Sequence, residues 1–254
     1  MQIEFQEWFG LSPLMLLYAL LAIGFAAYIR GYSGFGFSAL TVTSLALILP
    51  PSEVVPTAFM LEVAASIHML PLVWRNINWK ILRWMVFGAV MGTPLGIIFL
   101  EEVPQEMMRL VISAIVLTAS LLLWKNIRIR SSASWYSMLG VGFFSGVING
   151  ATAMGGLPVI LFFLSISAGS KLSRASMVAY FFIIDLYALL LPSGQQMIST
   201  ELLGRTVLFL IPLLVGIYIG HRSFIKTTPE SFQKFTLSLL IILSAAVIVR
   251  SVLI

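Results

Sequence analysis

The sequence predicts an all-α polytopic membrane protein built from two inverted repeats of about five helical elements each, with paired broken helices at the membrane midplane. Apolar residues make up 59% of the chain and charged residues only 10%, with a mean hydropathy of +1.02. Soluble domains are far less apolar, so we interpret the chain as membrane-embedded. Two glycine-rich stretches interrupt it, a first break at 31–36 and a second break at 150–158. Their first glycines, Gly31 and Gly150, lie 119 positions apart (150 minus 31).

The apolar stretches between interruptions have the lengths of membrane helices and half-helices. Proline marks several boundaries: Pro50 and Pro51 end the second element, and Pro104 and Pro229 open the fifth and the tenth, where the missing N–H costs nothing. The ten predicted elements span 11–30, 36–49, 54–74, 80–100, 106–124, 136–152, 157–168, 173–192, 203–222 and 231–253.

The second half of the chain repeats features of the first half in the same order, which indicates an internal repeat. Besides the breaks and the prolines, the small-xxx-small faces at 92–96 and 216–220 correspond, in the fourth and ninth elements. Glycine is common in membrane helices, so a single match carries little weight, whereas the ordered set favours a repeat. We therefore divide the chain into a first membrane repeat, 1–130, and a second membrane repeat, 131–254.

Basic residues predict the orientation of the chain. Twelve of the 15 Lys and Arg residues lie around Arg30, 75–83, 125–130, 171–174 and 222–234, and we assign these segments to the cytoplasmic side. The opposite ends carry most of the glutamates and are assigned to the outside, together with the N-terminus. One repeat then runs from outside to inside and the other from inside to outside, which makes the repeats inverted.

At each break the chain exposes backbone N–H and C=O groups that lipid cannot satisfy, which predicts a polar cavity inside the protein. The helix that follows each break begins with free N–H groups and the positive end of its dipole, a suitable site for an anion. Paired interruptions of this kind point to a transporter's binding site. The predicted substrate-binding residues are Ser33, Gly34, Phe35, Gly36, Asn149, Gly150, Thr152, Gly155 and Gly156.

Two alternatives stay open for the breaks. The hydroxyls of Ser33 and Thr152 can cap helix ends or bond back to carbonyls of their own helices instead of contacting a substrate. The breaks as a whole can also serve only to kink and pack the helices.

Two acidic residues lie deep in apolar elements, Glu62 in the third and Asp185, the only aspartate of the chain, in the eighth. The same 119-residue offset places Asp185 opposite Ser66, one helical turn from Glu62. Ionisable groups at such depth are costly and often serve as proton relays or ion partners, so both acids are candidates for proton coupling. The alternative is a neutral acid that donates a hydrogen bond to a nearby carbonyl.

Several functions are not supported by the residues present. The chain has no cysteine and only two widely separated histidines, so we expect no metal site. No nucleophile elbow and no His-Glu-x-x-His motif occurs, and we expect neither an enzyme nor a cofactor. The net charge of +5 comes from short basic clusters between apolar stretches, which indicates topology signals rather than nucleic-acid binding.

The stretch from Ser145 to Pro158 resembles the second glycine signature of the TauE/SafE family of membrane permeases, and Gly31 to Leu40 is similar to the first. The resemblance implies export of sulfite or a small organosulfonate such as sulfoacetate across the bacterial inner membrane. The residues on the signature positions are Gly31, Gly34, Gly36, Gly150, Gly155, Gly156 and Pro158. The chain departs from the pattern with phenylalanines in the first glycine run (34–37) and with Ala39 in place of proline, which implies a narrower or more apolar first half of the site.

Together these features predict a secondary transporter for a small sulfur-containing anion that works by alternating access and couples to protons. A passive anion channel, a membrane subunit of a larger complex and an intramembrane enzyme are the alternatives. The expected partners are the anion, protons and the lipid bilayer. Glycine faces permit contacts between chains as well as within one, so a homo-oligomer stays open.

Overall fold

The computed structural model describes residues 11–125, 134–166, 169–191 and 198–224, together with 241 and 245. All regular structure in these residues is helical, which confirms the all-α class. Apart from residues 241 and 245, the tenth predicted element, 231–253, lies outside the described residues. The described helices are α1 Pro13–Ser33, α2 Phe37–Leu45, α3 Pro51–Val73, α4 Trp79–Glu102, α5 Gln105–Trp124, α6 Trp135–Thr152, α7 Gly156–Ser165, α8 Ser170–Leu190 and α9 Thr200–Phe224, with a 3₁₀ turn Trp74–Asn76.

Six of the described helical segments are long and apolar enough to cross a membrane, so the chain is a multi-pass membrane protein. These segments are Pro13–Ser33, Pro51–Asn76, Trp79–Glu102, Gln105–Leu122, Lys171–Leu190 and Thr200–Ser223. By contrast, α2 and α7 have only 9 and 10 residues. At a rise of about 1.5 Å per residue they extend about 14 and 15 Å, roughly half of a hydrocarbon core. The helix after each break is therefore too short to span a bilayer.

Helix boundaries differ from the predicted ones where turn chemistry or packing extends an element. Proline needs no intrahelical N–H partner in the first turn, so Pro51 opens α3 three residues before the predicted start. α2 ends at Leu45 and runs into a tighter turn in which the Ile48 N–H donates to the Leu45 C=O at 2.9 Å. α8 begins at Ser170, three residues before the predicted start at 173.

α4 and α6 pack side by side through three glycines on each helix. A Cβ atom added at Gly92 would lie 2.2 Å from the Phe143 carbonyl oxygen, and one added at Gly146 would lie 2.4 Å from the Ala89 oxygen. The glycines of this interface repeat every fourth residue: Gly88, Gly92 and Gly96 on α4, and Gly142, Gly146 and Gly150 on α6. Residues without a side chain allow this close approach of two backbones.

α1 and α9 form a second glycine-packed pair. A Cβ at Gly216 would lie 2.4 Å from the Gly24 carbonyl oxygen, and one at Gly220 would lie 2.1 Å from the Tyr28 oxygen. The first helix of each predicted repeat thus packs along the fourth helix of the other. α3 and α8 pack against each other and connect the two pairs, with α3 on α9 and α8 on α4. The inverted relation of the repeats stays a prediction.

Candidate functional site

The two breaks meet in the folded chain around one small cavity. Its volume is about 20 Å³, which is room for about one water molecule. The cavity is lined by Phe35, Gly36, Ser38 and Ala39 at the first break, Ala153, Met154, Gly156 and Leu157 at the second, Glu62 from α3 and Phe181 from α8. Three of the predicted substrate-binding residues are in this lining, namely Phe35, Gly36 and Gly156.

The first break is formed by two glycines with left-handed backbone conformations. Gly34 has φ 81° and ends α1 with its N–H bonded to the Arg30 C=O at 2.8 Å. Gly36 has φ 87° and precedes α2 without any side-chain cap for the helix. Glycine adopts positive φ at little cost, and both positions require it. Ser33 Oγ lies 2.8 Å from the Ile29 C=O, to which it donates, and accepts the Phe35 N–H at 3.3 Å.

The second break repeats these contacts 119 positions later. Ala153 has φ 57°, and its N–H bonds to the Asn149 C=O at 2.7 Å. Thr152 Oγ1 donates to the Ile148 C=O at 2.6 Å and accepts the Met154 N–H at 3.3 Å. The Thr152 hydroxyl, like that of Ser33, is engaged with the backbone of its own break, which is the capping role that the sequence left open.

Asn149 joins the second break to the buried acid of α8. Its Nδ2 donates to Asp185 Oδ1 at 2.6 Å, and its Oδ1 accepts the Gly155 N–H at 3.0 Å. Ser145 Oγ donates to the Gly155 C=O at 2.5 Å and accepts the Tyr180 hydroxyl at 2.7 Å. All five residues lie in the interior. A Cβ at Gly155 would lie 2.7 Å from Asn149 Cβ, so glycine is needed for this approach.

Arg30 and Glu62 form a buried ion pair beside the first break. The Arg30 side chain is 0% exposed and that of Glu62 is 2% exposed, and Arg30 Nη2 lies 2.9 Å from Glu62 Oε2. Ser38, in the first turn of α2, donates from its Oγ to Glu62 Oε1 at 2.6 Å. The guanidinium carbon of Arg30 also lies 5.0 Å from the centre of the Phe181 ring, within the range of a cation–π contact.

The two halves place different side chains at equivalent positions. Arg30 Nη2 donates to Ser66 Oγ at 3.1 Å, and 119 positions later the corresponding bond joins Asn149 to Asp185. The Arg30 side chain is therefore buried in a charge pair instead of being exposed at a membrane boundary. The assignment of its segment to the cytoplasmic side stays a prediction. The 119-residue offset from Asn149, and the need of a buried glutamate for a partner, are the signals that could have identified Arg30.

Arg174, in a segment that the sequence assigns to the cytoplasmic side, is also buried and packs behind the first break. It is 6% exposed, and its Nη2 donates to the Gly31 C=O at 2.6 Å and lies 3.1 Å from His221 Nδ1. A Cβ at Gly34 would lie 2.3 Å from Arg174 Cγ. Contacts to the backbone of the break therefore hold this guanidinium inside the protein. The orientation of the chain in the membrane stays a prediction.

A bundle of membrane-length helices, with two half-length helices whose starts meet at a buried charge pair, defines a multi-pass membrane protein with an internal polar site. The chain belongs to the TauE/SafE family: the family's sequence model, described as Sulfite exporter TauE/SafE, matches residues 19–247. This match confirms the resemblance and identifies a family of transporters for sulfite and organosulfonates, not of enzymes. Comparison with the curated proteins and with the solved structures found no match.

Proposed function

We propose that this protein is a secondary transporter that carries a small sulfur-containing anion, such as sulfite, sulfoacetate or a related organosulfonate, out across the bacterial inner membrane. The meeting of the two breaks around Glu62 is the observation that carries the proposal. The cap residue Gly36 makes no side-chain bond to α2, so the first N–H groups of this helix are available to an anion. Family membership supports the same class of substrate.

Alternating access fits the size of the cavity and the packing around it. The cavity of about 20 Å³ has room for about one water molecule, which is too little for an oxoanion, so the described conformation is closed to the substrate. Substrate entry requires movement of the surrounding helices. We propose that the α1–α9 and α4–α6 pairs rock against each other about α3 and α8, with the two breaks between them.

Selective stabilisation by anions tests the proposal on the purified full chain. The melting temperature of the protein is compared in the presence of sulfite, thiosulfate, sulfoacetate, sulfate, acetate and chloride. A sulfur anion at about one hundred times its Kd is expected to stabilise the fold by about 2.7 kcal/mol. Gly155→Ala and Thr152→Val are expected to lose this response, because they disturb the Asn149 contact and the Ile148 and Met154 contacts.

Gly140→Ala serves as the control for these variants, because no atom lies within 4 Å of a Cβ at this position. It is expected to keep the full response to the sulfur anion. The proposal fails if no sulfur anion stabilises the wild-type protein while the variants stay folded.

Glu62 and Asp185 are the proposed proton-coupling residues. In Glu62→Gln and Asp185→Asn an amide oxygen can still accept the bonds from Ser38 and Asn149, so both variants are expected to fold. Glu62→Gln is expected to be the less stable of the two, because it leaves the buried Arg30 charge without an ionised partner. Uptake of sulfoacetate, whose acid groups stay ionised at mildly acidic and mildly alkaline pH, into proteoliposomes is expected to lose its pH dependence in each. Saturation and counterflow are measured in the same vesicles, since both distinguish a transporter from a passive channel. Unchanged pH dependence in both variants would remove the two acids from the mechanism.

A further inference from the structure

Resting on the proposed function, we infer that the Arg30–Glu62 pair is the anion site in its unoccupied form. The guanidinium of Arg30 binds the transported anion, and the Glu62 carboxylate is an internal ligand that the anion displaces. Arg30 thereby becomes the residue that holds the negative charge of the substrate, a role that the sequence assigned only to the breaks themselves.

The Glu62 carboxylate already lies where an anion is expected. Its Oε1 accepts the hydroxyl of Ser38 at 2.6 Å, and Ser38 is in the first turn of the uncapped helix α2. Its Oε2 lies 2.9 Å from Arg30 Nη2. A sulfonate or sulfite group offers oxygens to the same two donors, with the same sign of charge. The anion can therefore replace the carboxylate without a new set of donors.

Arg30 keeps its position without Glu62, because other groups also hold it. Nη1 donates to the Gly34 C=O at 2.9 Å, Nη2 donates to Ser66 Oγ at 3.1 Å, and the guanidinium faces the Phe181 ring. Its Nε has no hydrogen-bond partner within the part of the chain that the structure describes. An arginine is always charged and suits planar recognition of an oxoanion. A positioned guanidinium with donor capacity left over is a binding group for an anion.

Glu62 connects the guanidinium to the cavity. It contacts Arg30 and, among the residues that the structure describes, is also the only charged one in the lining of the cavity between the breaks. The pair formed by Arg205 and Glu53 differs, since Glu53 is 40% exposed and does not line this cavity. A pair that served only to join α1 to α3 would have no need to face the cavity.

Displacement of Glu62 links anion binding to a proton. A buried carboxylate that loses its guanidinium partner is costly, and taking up a proton removes this cost. Among the residues that the structure describes, the charged groups that act on Glu62 are Arg30 on α1 and Asp185 on α8. Arg174 on α8 interacts electrostatically with Arg30. Two other helices that pack against α3 also carry an arginine, Arg109 on α5 and Arg205 on α9. Each of these arginines pairs with a glutamate other than Glu62.

Anion and proton therefore occupy the site together, and low pH favours anion binding because the protonated acid no longer competes for Arg30. Binding of sulfoacetate to the purified full chain, measured by calorimetry at mildly acidic and mildly alkaline pH, tests this. Both acid groups of sulfoacetate stay ionised over this range, so a pH effect comes from the protein.

Three variants give distinct expected results. Glu62→Gln removes the competitor and is expected to bind sulfoacetate roughly tenfold more tightly at mildly alkaline pH, with little pH dependence. The double variant, Arg30→Gln together with Glu62→Gln, removes both charges of the pair and is therefore expected to fold. It is expected to bind sulfoacetate roughly ten- to hundredfold more weakly than Glu62→Gln does. Glu53→Gln, the matched control at the other pair, is expected to bind like the wild type.

Three results would overturn the inference: a folded double variant that binds as tightly as Glu62→Gln, a Glu62→Gln variant with wild-type affinity and pH dependence, or an equal gain of affinity in Glu53→Gln. In each of these cases a wild-type protein that binds sulfoacetate still supports the proposed function. Absence of binding of both sulfoacetate and sulfite, in the wild type and in Glu62→Gln alike, would reject the proposed function together with the inference.

Discussion

Gly142→Ala is expected to destabilise the protein by roughly 1–3 kcal/mol, the range of an overpacked interior. The same substitution at Gly140, two residues away on α6, is expected to be neutral or to stabilise the helix by up to about 1 kcal/mol. A Cβ at Gly142 would lie 2.1 Å from the Met85 carbonyl oxygen, whereas a Cβ at Gly140 has no atom within 4 Å. Backbone atoms of α4 cannot rotate away, so the helices would have to separate.

Thermal unfolding of the two variants in one detergent measures this difference. The intrinsic gain in helix propensity is similar for both positions, so the comparison isolates the contact with α4. Equal melting temperatures for Gly142→Ala and Gly140→Ala would contradict the backbone packing of α4 on α6. A lower yield of monodisperse Gly142→Ala, with normal yield of Gly140→Ala, would agree with it.

The described helices could be predicted from the sequence, because a membrane leaves few choices for an apolar segment. Apolar length and proline positions set their ends to within a few residues. A difference arises where proline suits the first turn of a helix, as at Pro51.

Positions of the charged residues were harder to predict. Arg30 follows an apolar run and precedes a glycine break, the same local pattern as a basic residue at a membrane boundary. Its burial depends on Glu62, 32 positions along the chain, and on the contact of α1 with α3. A local rule for loop charges contains no information about that pairing. The internal offset does, since it aligns Arg30 with Asn149.

The offset also placed Glu62 and Asp185 near equivalent positions without showing how differently they are held. Glu62 faces a guanidinium at 2.9 Å, whereas Asp185 accepts a neutral amide at 2.6 Å. Asp185 Oδ2 has no hydrogen-bond partner among the residues that the structure describes. Two halves with the same backbone contacts thus carry different charges. This difference favours Glu62 over Asp185 as the acid that competes with the substrate.

The roles of Ser33 and Thr152 illustrate a limit of reasoning from residue type. A serine or threonine near the end of a helix can always reach the carbonyl four residues earlier, so sequence leaves capping and substrate contact equally open. In the fold both hydroxyls bond to that carbonyl. The prediction that they contact a substrate therefore requires a change of conformation at the breaks when the anion binds.

Gly34→Ala is expected to cost on the order of 3 kcal/mol and to abolish transport, the sum of a left-handed conformation forced on alanine and a steric conflict. A Cβ at Gly34 would lie 2.3 Å from Arg174 Cγ and would push this side chain away from the Gly31 C=O. Gly36→Ala has nearly the same φ, but its nearest contact would be Ile29 Cγ2 at 3.5 Å. Its expected cost is only about 1 kcal/mol.

Comparison of Gly34→Ala with Gly36→Ala separates the strain of the backbone from the loss of the Arg174 contact. Melting temperature and sulfite uptake are measured for both variants, for Arg174→Ala, and for Gly34→Ala combined with Arg174→Ala. Since removal of the arginine side chain relieves the conflict, the double variant is expected to lose less stability than the sum of its single changes. Additive losses would mean that the conformation of Gly34 alone sets the cost. In that case Arg174 would be independent of the break, although its guanidinium bonds to the backbone of Gly31.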